Sequence, residues 1–176
     1  KSPISRTTDF SYDVGVRVKY AYDTVAEGNF KVATPSYLRS ITQTGGTPSQ
    51  SFGITEFRPT GGPMVVTANM RVPTVPEGDS TVQVQFQIQN TGGGRAFTSA
   101  EDDNTITIKG AGADCGTGAG ADKTVRLAGG KSATVFCKFN VGSVTTFVEK
   151  SFSIGLKYNY FIDSATQVTV LKKPVE

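Results

Sequence analysis

From Thr81 to Gln89 the chain reads Thr-Val-Gln-Val-Gln-Phe-Gln-Ile-Gln, which puts Val82, Val84, Phe86 and Ile88 on one side of an extended strand and four glutamines on the other. A period of two is what a half-buried strand requires; a helix would spread the same residues around its circumference. Similar alternation runs through Met64 to Val72, Asn104 to Lys109, Lys123 to Leu127, Ala133 to Val141, Phe152 to Tyr160 and Gln167 to Leu171. No apolar stripe at helical spacing lasts beyond two turns, and the one helix candidate is a short turn over Ser36 to Thr42, after Pro35. The chain is expected to be all-β, with an immunoglobulin-like antiparallel sandwich over residues 62–176.

The first 35 residues repeat features of the last ones. Aligning Val14 to Ser36 with Phe152 to Pro174 superposes Val16 on Ile154, Val18 on Leu156, and Lys19-Tyr20-Ala21-Tyr22 on Lys157-Tyr158-Asn159-Tyr160. Each copy reads as a long alternating strand, a turn and a short strand; the alternative is chance agreement between two amphipathic hairpins. Residues 1–35 are therefore expected to form a β-hairpin, and residues 36–61, rich in Thr, Ser, Gly and Pro, a connector to the sandwich. Val14, Val16, Val18, Tyr20 and Tyr22 fall on one face of the hairpin. A lone hairpin is marginal in water, so that face either docks on the sandwich or is completed by another subunit.

Composition removes most catalytic chemistry. Among 176 residues there is no histidine and no tryptophan, which rules out His-dependent nucleophile pairs and His-ligated metals. The net charge of +3 is the balance of 18 basic and 15 acidic residues scattered along the chain, so there is no footprint for nucleic acid. No run approaches the roughly 18 apolar residues of a membrane helix. The chain opens at Lys1 without a methionine, as a processed protein or a fragment does.

Cys115 and Cys137 are the only cysteines. A disulfide is the economical reading, worth roughly 3 kcal/mol through the loop it closes, and it points to an extracellular or cell-surface location. Two buried thiols acting as small hydrophobes are the alternative. The segment from Gly110 to Asp122, which includes Cys115, carries Gly-Ala-Gly-Ala-Asp twice, ending at Asp114 and Asp122. Gly-x-Gly-x-Asp is half of a calcium-binding nonapeptide, but the spacing is eight and no array follows. Glu101-Asp102-Asp103-Asn104 offers a second cluster of hard oxygen donors, with a solvated turn as its ordinary reading. Asp102, Asp103, Asp114 and Asp122 are thus the weak candidates for calcium, and no other cofactor is expected. Gly130-Lys131-Ser132 looks like the end of a P-loop, but Val125 stands where that motif needs glycine and a strand follows. The tyrosines Tyr20, Tyr22, Tyr158 and Tyr160 share the parity of the apolar residues and read as core or core-edge residues, with hydroxyls at the rim.

The strand Val82-x-Val84-x-Phe86-x-Ile88, the turn Asn90-Thr91-Gly92-Gly93-Gly94-Arg95-Ala96, and the run Val125-Arg126-Leu127-Ala128-Gly129-Gly130-Lys131-Ser132-Ala133-Thr134-Val135 resemble the CARDB type of cell-surface immunoglobulin-like module. The resemblance covers about a third of the chain, from Val82 to Phe139. The ending departs from it: Leu156-Lys157-Tyr158-Asn159-Tyr160 replaces the acidic residue and paired asparagines of that family, and resembles secreted archaeal surface proteins. The resemblance implies display, adhesion and assembly rather than catalysis, and an archaeal source.

The expected function is that of a non-catalytic structural subunit of an extracellular filament or cell-surface layer. Its partners are further copies of itself, joined through sheet edges over Phe10 to Tyr22, and other envelope proteins. The alternative is an accessory module of a larger surface protein, binding glycan or another envelope polymer.

Overall fold

The computed structural model describes residues 9–46, 52–110 and 112–171. The chain runs β1 (Phe10–Ala33), α1 (Pro35–Gln43), β2 (Gly53–Pro59), β3 (Met64–Asn69), β4 (Thr81–Asn90), β5 (Arg95–Phe97), β6 (Thr105–Gly110), β7 (Ala113–Asp114), β8 (Lys123–Arg126), β9 (Ser132–Asn140) and β10 (Phe147–Val170). One sheet has the order β2-β1-β10-β6-β8, with β5 also on β10; the other has the order β3-β4-β9-β7. Every pairing between these strands is antiparallel. The two sheets meet through one core, where Phe30 and Phe152 of the first sheet pack on Phe86 and Phe139 of the second. The all-β sandwich expected from the alternation is present, and β4 buries Val82, Val84, Phe86 and Ile88 as its sequence requires.

The division into hairpin, connector and sandwich does not survive. Residues 10–33 are one continuous strand of 24 residues, not a hairpin, and they pair residue for residue with β10, which is equally long. The repeated Lys-Tyr-x-Tyr motifs are therefore cross-strand partners. Antiparallel pairing sets Tyr20 opposite Tyr160 and Tyr22 opposite Tyr158, with ring centroids 5.7 and 5.8 Å apart.

The turn expected between the long and the short strand is absent, and Gly28, within that stretch, answers to a close approach instead. A Cβ there would stand 2.5 Å from the Glu56 carbonyl oxygen and 2.8 Å from the Phe152 ring. The connector also has structure of its own. Thr34 caps α1 by accepting the Tyr37 amide, with Pro35 opening the helix, and β2 then adds to the edge of β1 opposite Ala26 to Lys31.

The crossing from one sheet to the other after β4 is held by a buried polar hub. The Tyr160 hydroxyl donates to Asn90 Oδ1 at 3.0 Å and accepts the Gly94 amide at 2.9 Å. Asn90 Nδ2 donates to the carbonyls of Gly94 and Gly130. Both side chains are almost wholly out of solvent, so each bond stands in for one that water would otherwise make. Asn90→Ala leaves a buried hydroxyl and two carbonyls short of partners, and is expected to lower unfolding stability by about 2–3 kcal/mol. Tyr160→Phe keeps the ring and is expected to cost about 1 kcal/mol. Chemical denaturation of the two variants checks the order, and equal stabilities would contradict it.

Candidate functional site

The two long strands outrun the sheet that faces them. At Tyr20 and Tyr22 the first sheet is still partly covered, and Tyr22 donates to the Gly61 carbonyl. Before Tyr20 in β1, and after Phe161 in β10, every described residue of the two strands is exposed on both faces. Nine rungs, from Phe10 opposite Val170 to Val18 opposite Ile162, thus form a two-stranded arm about 30 Å long at the usual rise per residue.

Alternation gives the arm unlike faces. Val14, Val16 and Val18 lie with Ile162, Val168 and Val170, all 39–57% exposed, on the side that continues the buried face of the sheet. Phe10 and Tyr12 share this parity and are also exposed. Asp13, Arg17, Lys19, Asp163 and Gln167 point to the other side.

That second side fastens the arm at its root. Arg17 makes a forked contact to both carboxylate oxygens of Asp163, and its guanidinium lies 4.4 Å from the centre of the Phe161 ring. Glu101, in the turn between β5 and β6, takes hydrogen bonds from Arg17 and from Lys19. The Lys19 ammonium first, then its charge and that of Arg17, hold the Glu101 carboxyl below the usual carboxylate range. Arg17 likewise lowers Asp163, chiefly by hydrogen bonding. Within the core, burial pushes the Tyr158 hydroxyl up to about 12, while its hydrogen bond with Thr24 works in the opposite direction.

The candidate calcium ligands are not brought together. Burial alone would raise Asp103, but hydrogen bonds from Thr105, Ala100 and Ser99 outweigh it and hold the carboxylate below its ordinary range, so Asp103 organises its own turn. Asp114 accepts the amides of Gly116 and Gly118, which lowers its carboxyl in the same way. Both glycines have φ near +100°, the backbone shape that lets the repeated Gly-Ala segment curl around one carboxylate. Asp102 and Asp122 are exposed, and among the described residues no three His, Cys, Asp or Glu side chains stand close enough to share a metal ion. A concavity of about 540 Å³ is an open trough over β2, β1 and β10 where Glu56 pairs with Arg58 beside Glu27 and Phe152.

Cys115 and Cys137 form a disulfide that ties the loop after β7 to the centre of β9, with both cysteines buried. Among the described residues no helix is long and apolar enough to cross a membrane. Both facts are compatible with secretion. No family model, no curated protein and no solved structure matches the chain.

The parity of Val14 to Tyr22 was legible in the sequence, but their separation into an exposed part and a covered part was not. Glu101 carried no sequence signal for its contact with Arg17 and Lys19, because its partners lie more than 80 residues away.

Two outcomes follow from this geometry. The depressed Glu101 and Asp163 values mean that the fastening is complete above the ordinary carboxylate range and is lost as pH falls through the depressed values. The protection factors of the amides over Val14 to Lys19, their exchange rates taken relative to the intrinsic rate at the same pH, are therefore expected to fall on acidification and in Glu101→Gln, while global stability changes little because the pairs are exposed. Unchanged protection factors in both cases would refute the fastening. Cys137→Ser is expected to lower unfolding stability by about 3 kcal/mol or more. Alkylation of the denatured, unreduced chain should label no thiol.

Proposed function

We propose that this chain is a non-catalytic structural subunit of an extracellular filament or cell-surface layer, and that the arm is its means of assembly. The observation that carries the reading is the arm itself. A two-stranded ribbon with an aliphatic face and open edges is a poor structure in water and a good one against another protein. The disulfide supports an oxidising location, and the resemblance of residues 82–139 to surface-display modules supports the same setting.

The outer face of the second sheet favours one other reading. Gln83, Gln85, Gln87 and Gln89 run as a ladder beside Phe136, which is 51% exposed; amide groups flanking an aromatic ring suit a glycan or another envelope polymer.

Electron microscopy and sedimentation of the chain, compared with a version lacking residues 1–19 and 162–176, test the first reading. That trimming removes the arm and leaves Tyr20 to Ala33 in the core, whereas removing all of residues 1–35 would destroy the sheet. Polymers from the whole chain and a folded monomer from the trimmed one are expected. Well-folded monomers in both cases defeat the assembly reading, and selective binding in a glycan screen would then favour the accessory module.

A further inference from the structure

The aliphatic face of the arm is the direct continuation of the inner face of the first sheet. Inside the sandwich that face is covered by the second sheet; the covering ends near the Tyr20–Tyr160 rung, and the Val18–Ile162 rung opens onto solvent. Among the described residues no second β-layer covers the remaining rungs. We propose that their cover is the same face of a second copy, arm on arm across a two-fold axis. This builds on the reading of the arm as an assembly element and specifies its partner.

Three features select a second copy. The first is charge. Val14, Val16, Val18, Ile162, Ser164, Thr166, Val168 and Val170 include no ionisable group, whereas the reverse side carries Asp13, Arg17, Lys19 and Asp163. A nucleic acid or a charged peptide finds no counter-charge on this face; an identical face matches it.

The second feature is pattern. Along β10 the face reads Ile162, Ser164, Thr166, Val168, Val170, with two hydroxyls between an aliphatic root and an aliphatic tip. Across a two-fold centred on Thr166 the root of one copy meets the tip of the other and Thr166 meets its own copy, which is the reciprocal pattern of a contact between identical patches.

The third is size. At their observed exposures the six aliphatic side chains and the two hydroxyl residues offer roughly 500 Å² per copy, so two faces together reach on the order of 1,000 Å², the lower bound for a specific reversible contact.

A lipid surface is a worse occupant. Among the described residues no strand pairs with Val14 to Asp23 on the side away from β10, or with Ile162 to Val170 on the side away from β1. Those edge amides and carbonyls would enter hydrocarbon without partners, which a membrane does not tolerate. Packed on another arm about 10 Å away, the edges stay in water. Such a contact closes after two subunits, so arm pairing alone yields a dimer, and a filament or layer needs a second contact.

Sedimentation equilibrium of the whole chain, of Val16→Asp, and of Gln167→Lys on the reverse side tests the proposal. The unaltered chain is expected to associate reversibly through its arms, as dimers or as polymers built from them, Val16→Asp to weaken that association about a hundredfold by setting an unpaired charge in the contact, and Gln167→Lys to change it by less than about threefold. Circular dichroism of Val16→Asp should match the parent, as should its thermal midpoint at concentrations where both are monomeric, because Val16 is 57% exposed and outside the core. Nitroxides on Ala165→Cys should show one inter-subunit distance of about 20–30 Å, two layers about 10 Å apart plus the label arms.

A monomeric parent chain, equal association of Val16→Asp and parent, or flotation of the chain with phosphatidylcholine vesicles in place of dimerisation would overturn the proposal. Filaments that persist in Val16→Asp would overturn arm pairing and leave the structural-subunit reading standing. A Val16-dependent dimer that never polymerises would support arm pairing and remove the filament or layer.

Discussion

The ladder between β1 and β10 is the interaction on which the rest of the structure depends. It joins strands from opposite ends of the sequence over 24 residue pairs, places both in the middle of one sheet, and supplies the edges on which β2, β5 and β6 assemble. Closing so long a loop costs chain entropy before any contact is made, so the ladder needs a large local return. It finds it in the tyrosine rungs and the phenylalanine cluster, where Tyr20, Tyr22, Tyr158 and Tyr160 stack across the strands and Phe30 meets Phe152. The aromatic stretch from Tyr20 to Phe30 thus anchors the ladder between its two ends.

From that stretch the ladder runs out in two directions with different fates. Toward Ala33 it stays beneath the second sheet, and Thr34 hands the chain to a capped helix whose Tyr37 packs against Phe147. Toward Phe10 the opposing sheet stops and the ladder continues as the arm. The same alternation that makes a core in one half makes an aliphatic surface in the other. Ion pairing on the reverse side, through Arg17, Lys19, Glu101 and Asp163, orients the root of the arm without covering that surface.

The candidate metal ligands show how local chemistry absorbs suggestive residues. Asp103 and Asp114 sit among hydrogen-bond donors supplied by their own turns, and their carboxylates serve as caps for backbone amides. Repetition of Gly-Ala-Gly-Ala-Asp reflects the need for backbone freedom in a loop that must curl beside the Cys115–Cys137 bridge. Asn90 is the opposite case. Read in the sequence as a turn residue, it is also the centre of a buried network, because Tyr160 arrives from a strand 70 positions away.

By itself the sequence determined the class of fold and the face of each strand, because side-chain alternation is a local property with a single geometric meaning. It also left each cysteine a single possible partner within the chain, since there are only two, and the structure bonds them. Tertiary structure decided that residues 10–33 form one strand. A turn within this stretch would give up ladder hydrogen bonds to β10 on one side and β2 on the other, and Gly28 is needed where Phe152 and Glu56 come close. It decided, too, which part of the alternating face is core and which is arm. Alternation specifies that a face is apolar, but whether the face is covered depends on how far the opposing sheet extends, and that length is set by other segments of the chain.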